Sequence, residues 1–327
     1  MELQLSPAWV VSDGAAGNRG PALALARALG LSPQEWTLTT AAPWRWLAPR
    51  WLPKSPDVFA EGFAEALAAA PPRVVIGCGR QAALATRWLR AQALGCRAVQ
   101  ILDPRIDPRH FDAVLAPRHD RLTGANVIEF SGGLHGIDGG VLARARIEHA
   151  GLARLPGPRT LLLLGGPHSG YRLDRGAWLR LATTLRHWLA RDGGSLLLSS
   201  SRRTPDWLRQ AARADLRDLP GLQWHGDADG PNPYLGFLAW ADRIIVTPDS
   251  ANMLAEACAT AAPVLCPADP RPRGKLGSLY AELVQAGRVR PLRLEFSPWD
   301  FQPLRETARL AEALRRLLTQ SVQSRPY

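Results

Sequence analysis

Lysine is nearly absent from this sequence: of 40 lysine and arginine residues, only Lys54 and Lys275 are lysines. The formal net charge of +11 therefore comes from guanidinium groups, which favours attraction to nucleotide phosphates, anionic lipid or nucleic acid. A solvated arginine-rich surface explains the same charge, and both interpretations stay open. Because no basic run is interleaved with aromatic residues and no zinc-finger spacing or RNP-type motif occurs, nucleic acid is not an expected partner.

Long apolar segments are also missing. No stretch of about 18 uncharged apolar residues occurs, and acidic Glu2 stands where a secretion signal has a basic region. We therefore expect a cytoplasmic protein, either free or held peripherally on the inner membrane. The cysteines show no CxxC pairing and lie in or beside apolar runs, which indicates reduced core thiols at Cys78, Cys96, Cys258 and Cys266.

The chain length and the alternation of its segments predict two α/β domains. The 327 residues suffice for two domains of about 150 residues each. Short apolar runs alternate with amphipathic helical stretches, which is typical of βαβ units and parallel sheets. The proline-containing segment 152–159 suggests a boundary between domains 1–154 and 155–327, and the last predicted helix, 303–319, can pack back on the first domain. Strands are predicted at 8–11, 73–76, 98–102, 113–115, 127–130, 160–164, 195–199, 222–224, 243–247 and 264–266, and other helices include 21–29 and 81–94.

The tryptophan-rich segment 36–51 interrupts this alternation. Its prolines predict a loop in which Trp44, Trp46 and Trp51 lie beside Arg45 and Arg50. Exposed indole rings next to arginines suit an acceptor or a membrane interface, because the ring is apolar with one polar group. A loop folded over its own core explains the segment equally well.

Glycine-rich loops follow two predicted strands of the first half. In the run DGAAGNRG, residues 13–20, Gly14 and Gly17 let the backbone approach a ligand, and the following helix would direct free N–H groups at an anion or a sugar hydroxyl. A tight strand-to-helix turn is the alternative. The run lacks GxGxxG spacing, so a dinucleotide site is not favoured. GCGRQ, with Gly79 and Arg80, resembles a second backbone-lined shelf.

Two further strand ends of the first half carry titratable groups. Asp103 ends an apolar strand, where a carboxylate points into the ligand crevice of a parallel sheet, or else it caps the turn at Pro104. His119, beside an aspartate after the next strand, is a candidate general base.

The second half offers three polar loops at strand ends. GGPHSGY includes Gly166, and the next run, SSSRRTP, supplies Ser201, Arg202 and Arg203, which suit a diphosphate because guanidinium groups bind oxyanions bidentately. In TPDSANMLAEA, residues 247–257, an aspartate or serine caps a helix whose free N–H groups can hold a phosphate. Glu256, about a turn and a half further along, can reach a ribose hydroxyl, unless it is simply solvated.

These motifs resemble bacterial members of the mitochondrial fission Elm family, in the family's order and from about Trp9 to Pro267. The runs that carry the resemblance are WVVSDGAAGNRGPALALARALG, VVIGCGRQ, QILDPR, APRHD, GGPHSGY, SSSRRTP and TPDSANMLAEACATAAPV. The resemblance implies a GT-B-like fold, in which two Rossmann-like, doubly wound domains face each other across a cleft. It also implies that the C-terminal domain holds a nucleotide diphosphate sugar and the N-terminal domain holds the acceptor.

Carried onto this chain, the resemblance assigns roles to residues of both halves. It implies contacts with the nucleotide for Ser250, Asn252 and Met253 near the phosphates, Glu256 near the ribose, and Arg202 and Arg203 facing the diphosphate. The first glycine loop faces the acceptor. Related lipid-linked transferases carry a histidine there, whereas this chain has Asn18, which takes no proton at neutral pH.

The expected activity is a metal-independent glycosyl transfer from a nucleotide diphosphate sugar to a lipid or cell-envelope acceptor, with no other cofactor. Asp13 is the first candidate base, and Asp103 and His119 are the reserves. Asp227 and Asp229 have DxD spacing but lie in a loop flanked by glycines, so no metal site is expected. The alternative is a non-catalytic nucleotide-binding protein that acts at an anionic membrane surface through its basic charge.

Overall fold

The computed structural model describes residues 5–92 and 95–323, which form two parallel sheets of six strands each. The strands are β1 (Ala8–Ser12), β2 (Gln34–Thr37), β3 (Val74–Cys78), β4 (Arg97–Ile101), β5 (Ala113–Pro117), β6 (Val127–Phe130), β7 (Arg159–Leu164), β8 (Ser195–Ser200), β9 (Gly221–Trp224), β10 (Arg243–Val246), β11 (Val264–Cys266) and β12 (Val289–Pro291). The helices are α1 (Ala16–Ala28), α2 (Trp44–Leu47), α3 (Phe63–Ala69), α4 (Arg80–Ala91), α5 (Gly139–Glu148), α6 (Arg175–Asp192), α7 (Asp206–Asp215), α8 (Tyr234–Trp240), α9 (Ala251–Cys258), α10 (Gly274–Gln285) and α11 (Glu306–Gln323).

The parallel, doubly wound α/β class is confirmed, and every predicted strand is present. The sequence patterns missed β2 and β12, which are edge strands of their sheets. Both are short and contain a charged residue, so they lack the apolar runs by which central strands are recognised. The helix predicted at 81–94 ends at Ala91, and residue 94 lies outside the described residues.

The described residues divide into two compact units. The first reaches Gly136 and includes the chain from Glu306 onward, and the second runs from Ile137 to Arg305. The division thus lies upstream of the proline-containing segment where the sequence suggested a boundary. Helix α5 belongs to the second unit because the guanidinium of Arg146 lies over the Trp240 ring, 4.8 Å from its centroid, and its Nε donates to the Ala239 carbonyl.

The first unit has the strand order β2-β1-β3-β4-β5-β6 with a buried core on each face. Successive residues of β1 point to opposite faces, as the pleat of a strand requires. Val10 packs in the core beneath α1 and α11, whereas Trp9 and Val11 pack in the core beneath α3 and α4. The last helix lies on this unit, since Leu310 and Leu314 are buried in the α1 core.

The second unit has the order β12-β11-β10-β7-β8-β9, also with a core on each face. Leu161 and Leu163 face the α8, α9 and α10 side, and Leu162 and Leu164 face α6 and α7. From β7 the chain moves outward to β8 and β9, and then returns to β10 on the other side of β7. The carboxyl ends of β7 and β10 therefore flank a topological switch point, where open α/β sheets bind ligands. Among the described helices, none is both long and apolar enough to cross a membrane.

Candidate functional site

At the switch point of the second unit, two glycines bring three loops into close contact. The Gly165 N–H donates to Thr247 Oγ1 at 2.8 Å, and a Cβ atom on Gly165 would lie only 1.8 Å from Asp249 Oδ1. A Cβ atom on Gly166 would lie 2.1 Å from the carbonyl oxygen of Arg203. The loops after β7, β8 and β10 can therefore meet only because both positions lack a side chain.

Hydrogen bonds to its backbone carbonyl oxygens hold the loop after β8 in place, and the loop carries two arginines. Arg209 Nη2 donates to the carbonyl oxygens of Ser201 and Arg202 at 3.0 and 3.2 Å. Thr204 Oγ1 lies 2.7 Å from the carbonyl oxygen of Gly165. The side chains of Arg202 and Arg203 are exposed, and within residues 5–92 and 95–323 neither guanidinium pairs with a carboxylate. Both can therefore bind an oxyanion bidentately.

Helix α9 begins at this edge with a serine cap. Ser250 Oγ accepts the N–H of Met253 at 3.4 Å, so the serine, rather than Asp249, caps the helix. Asn252 and Met253 lie half-buried in the first turn. Asp249 instead turns inward: it is 4% exposed, accepts a hydrogen bond from Thr247 Oγ1 at 3.0 Å, and burial raises its pKa to about 7. The sequence motif contained this buried carboxyl group but did not mark it as a site residue.

Glu256 is anchored rather than solvated. Its Oε2 accepts a hydrogen bond from the hydroxyl of Tyr234 on α8. Burial raises the pKa of Glu256, and the bond from Tyr234 opposes that shift because it stabilises the carboxylate. The carboxyl group is thus fixed on the side of α9 that faces α8.

A cavity of about 1040 Å³ opens beside the same edge. Its walls are residues 167–172, after β7, and residues 268–271 and 273, after β11. Three of the lining side chains are the arginines Arg172, Arg271 and Arg273. Sequence reasoning missed all three, because they follow the recognisable motifs, and only the fold brings these two loops together.

The DxD-spaced aspartates lie after β9, in a loop that is tied to the protein. Asp229 pairs with Arg213 at 2.6 Å and accepts the backbone N–H of His225 at 2.7 Å. The neighbouring His225 ring lies 2.8 Å from Ser200 Oγ, and burial lowers its pKa to about 4. These contacts give Asp229 a structural role.

In the first unit, the first glycine loop is shorter than predicted. Helix α1 begins at Ala16 rather than at Pro21, so Gly17 and Asn18 lie in its first turn. The helix starts early because the carbonyl oxygen of Ala15 already accepts the N–H groups of Asn18 and Arg19. Gly14, with φ of 78°, stays in the loop.

The two glycine-rich segments of the first unit meet at Asn18. Its Nδ2 donates to both carboxylate oxygens of Asp13 at 3.0 Å, and a Cβ atom on Gly79 would lie 2.8 Å from the same nitrogen. The Cys78 thiol lies 3.7 Å from Asn18 Oδ1. The two segments therefore lie side by side, and the Asn18 amide holds an exposed carboxylate, Asp13.

Arg80 supports the tryptophan-rich segment. Its Nη2 donates to the Arg45 carbonyl oxygen at 2.7 Å, and its Nη1 donates to that of Ala48 at 3.4 Å. Trp36 and Trp44 pack on the core, as a loop folded over its own core requires, whereas Trp46 is 73% and Trp51 67% exposed. The acceptor or membrane interface stays a prediction.

The reserve bases lie further along the same sheet edge. Asp103 follows β4, two strand spacings or about 10 Å from the end of β1. Its Oδ1 accepts the N–H of Arg105 at 2.8 Å, so it caps the turn. His119 follows β5, one strand further, in a single helical turn.

Comparisons with known proteins agree with this architecture. The family model described as "Mitochondrial fission ELM1" matches residues 16–318. The mitochondrial fission protein ELM1 of Arabidopsis thaliana is 31% identical over 276 residues, which cover 76% of this chain and 64% of the plant protein. The chain thus spans less than two thirds of that relative.

Two solved structures share the fold at low identity. The UDP-GlcNAc 2-epimerase of Methanocaldococcus jannaschii aligns with a TM-score of 0.59 and 14% identity, covering 96% of this chain and 99% of the epimerase. The spinosyn forosaminyltransferase SpnP aligns with a TM-score of 0.50 and 15% identity, covering 98% and 96%. The fold is therefore GT-B-like, with two Rossmann-like units. The family match and the identity with the plant protein together show that this chain belongs to the mitochondrial fission ELM1 family.

Proposed function

We propose that the protein is a metal-independent glycosyltransferase whose second unit binds a nucleotide diphosphate sugar. The observation that carries this proposal is the convergence of three loops on the switch point of the second sheet. There, Gly165 and Gly166 leave room for the backbone contacts, Arg202 and Arg203 offer exposed guanidiniums, and α9 presents its N-terminal turn. This arrangement suits a diphosphate because charge-assisted bonds and helix N–H groups both stabilise anionic oxygens.

The proposed chemistry divides between the two units. In the second unit, Arg202, Arg203 and the first turn of α9 stabilise the charge that develops on the leaving diphosphate. Glu256, fixed by Tyr234, accepts a hydrogen bond from a ribose hydroxyl. In the first unit, Asp13 is the proposed base for the proton of an acceptor hydroxyl, and Asp103 and His119 are its alternatives.

The fold supports this choice of substrate class. The structures with the same architecture are an epimerase named for UDP-GlcNAc and a forosaminyltransferase. We propose the acceptor to be a lipid or cell-envelope molecule. The exposed Trp46 and Trp51 next to arginines support this choice, because such surfaces settle at the headgroup level of a bilayer.

A thermal-shift screen against UDP, GDP and their sugar conjugates, followed by calorimetric titration, tests the donor site. A ligand that binds only the folded state raises its stability. We expect one nucleotide family to bind, and Arg202→Ala or Glu256→Ala to weaken that binding at least about tenfold. The matched control is Arg217→Ala, an exposed arginine that precedes β9 at the opposite sheet edge. Equal affinity in wild type and both site variants would contradict the assignment.

A second function, a non-catalytic protein of an anionic membrane surface, is favoured by the same exposed tryptophans. Co-sedimentation with phosphatidylglycerol vesicles should fall severalfold in a Trp46→Ala/Trp51→Ala variant. It should be unchanged in Leu294→Ala, which removes a 52% exposed leucine from the other unit. If the protein binds vesicles and binds a nucleotide sugar but does not turn that sugar over, the result favours this function over the transferase.

A further inference from the structure

The carboxyl group of Asp249 is buried without a cation beside it. Asp249 is 4% exposed, and in the part of the chain that the structure describes no guanidinium or ammonium group forms an ion pair with it. Arg203 Nη2 instead lies 3.5 Å from the backbone carbonyl oxygen of Asp249. Because a buried carboxylate without a counter-charge is unfavourable, this position favours the neutral, protonated form of the group.

The hydrogen bonds around this carboxyl group give a negative charge little support. Thr247 Oγ1 lies 3.0 Å from Asp249 Oδ1 and 3.3 Å from the carbonyl oxygen of Leu163. The hydroxyl has one proton to share between these two oxygens, and no other described side chain donates to the carboxyl group. Burial therefore outweighs the bonds from Thr247 and from the backbone N–H of Asp249 itself, and it raises the pKa of Asp249 to about 7.

The same carboxyl group touches the loops of the proposed donor site. A Cβ atom on Gly165 would lie 1.8 and 2.8 Å from its two oxygens, so the group rests against the backbone of the loop after β7. The next residue of that loop, Gly166, packs against the backbone of Arg203 in the loop after β8. Ser250, which follows Asp249, caps α9. A change in the charge of Asp249 therefore reaches all three loops.

Other titratable groups around Asp249 have pKa values far from neutral pH. Burial raises the pKa of Tyr171, in the loop after β7, and that of Cys266, at the end of β11, well above their usual values. The Arg203 guanidinium, from the loop after β8, lowers the pKa of Asp249, but by less than burial raises it. His168 lies on the same loop as Tyr171, and its effect is common to the wild type and the variants compared below.

We propose that donor binding is linked to a proton on Asp249, so that the nucleotide sugar binds tightly when this carboxyl group is neutral and weakly when it is ionised. The inference rests on the proposed function, because it concerns a diphosphate at the same three loops. Two effects act in the same direction. A carboxylate next to the start of α9 repels the diphosphate, and its need for water loosens the contact with Gly165. By linkage, the protein should take up a proton as the donor binds.

Calorimetric titration between pH 7 and 8.5, with UDP-glucose and GDP-mannose as probes, tests this linkage. Neither sugar conjugate has the terminal phosphate that titrates near pH 6 in a free nucleotide, so the charge on the diphosphate stays constant. For the conjugate that binds, we expect the affinity of the wild type to fall about tenfold across this range. Titration at pH 7.5 in HEPES and in Tris, which differ in ionisation enthalpy, should show uptake of more than about half a proton for each donor bound.

Asp249→Asn keeps the shape of the side chain but holds it neutral, so its affinity should not fall with pH and it should take up no proton. The matched control is Asp227→Asn, which removes an exposed carboxylate after β9 and should retain the wild-type fall. Proton uptake by the wild type tests the inference even if Asp249→Asn does not fold.

Two results would overturn the inference and leave the donor site standing. One is binding by the wild type that is independent of pH and takes up no proton. The other is a fall in affinity that Asp249→Asn retains. If neither conjugate binds at any pH, the proposed function and this inference fall together.

Discussion

The carboxyl edges of the two sheets have the same topological origin but differ in the loops that their strands lead into. In the first unit, Asp13 and Asn18 bond to each other at the surface. In the second unit, Asp249 is buried against Gly165, and Arg202 and Arg203 pair with no carboxylate of the described residues. A doubly wound sheet thus supplies a carboxyl edge in each unit, while loop composition makes one edge an exposed surface and the other a tightly packed edge with exposed guanidiniums. Substitutions that disturb packing should therefore cost little stability at the carboxyl edge of the first sheet and much at that of the second.

The largest effect is expected from Asp249→Asn. Because burial raises the folded-state pKa to about 7, the unfolded carboxyl ionises from about pH 4 while the folded one keeps its proton. Asp249 therefore lowers the free energy of unfolding as pH rises from about 4 to about 7, by on the order of 4 kcal/mol. His225 acts in the opposite sense over nearly the same range, because burial lowers its pKa to about 4, so the contribution of Asp249 is measured as the difference between wild type and variant. Urea denaturation across this range should show the stability of the wild type falling relative to that of Asp249→Asn, and a difference that does not change with pH would remove the argument for a buried acid.

Gly166→Ala should cost about 3 kcal/mol, because its methyl group would meet the carbonyl oxygen of Arg203, which cannot move away freely. The matched change in the first unit is Gly20→Ala. That glycine lies in α1 with open space beyond its chain neighbours for an added Cβ, and the gain in helix propensity is offset by crowding against Pro21, so alanine should change stability by less than about 1 kcal/mol. Chemical denaturation of both variants measures the contrast. Similar values for the two would mean that the three loops do not pack as described.

Tyr234→Phe should cost about 2 kcal/mol, because it leaves the buried Glu256 carboxyl without its donor. The pKa of Glu256 should then rise further, since the bond that favours the carboxylate is gone. Denaturation at pH 7 measures the first effect, and carboxyl NMR titration measures the second. A Glu256 pKa that stays the same would show that the hydroxyl does not bond to it.

The smallest effect is expected from Asn18→Ala, below about 1 kcal/mol. The amide bonds to an exposed carboxylate that water can solvate instead. Thermal unfolding measures this change, and the same variant should lower transfer activity if Asp13 is the base. A loss of stability as large as that of Gly166→Ala would erase the distinction between the two edges.

Sequence reasoning located both edges because each loop follows an apolar strand and contains glycine or paired polar residues. The runs 13–20, 77–81, 165–171, 201–205 and 247–257 all lie where parallel strands end. Ten strands were found in this way, since buried parallel strands are continuous apolar runs.

The features that the sequence did not reveal depend on tertiary contacts. No spacing rule predicts that the Asp249 side chain is buried. None predicts that the Tyr234 hydroxyl lies close enough to Glu256 to donate a hydrogen bond to it. The arginines of the cavity lie on loops about 100 residues apart, brought together because β7 and β11 both flank β10 in the sheet. The observed boundary between the units lies upstream of the predicted one because α5 packs on α8. The proline-rich segment 152–159 does not indicate that contact.

Hydrogen–deuterium exchange with and without the nucleotide sugar that binds best tests the central claim, that the donor lies at the carboxyl edge of the second sheet. Bound ligand should slow exchange of backbone amides in residues 165–171, 201–205 and 249–253, and leave residues 13–18 unchanged. Protection confined to residues 13–18, or protection nowhere along the second edge, would contradict the assignment of the donor to the second unit.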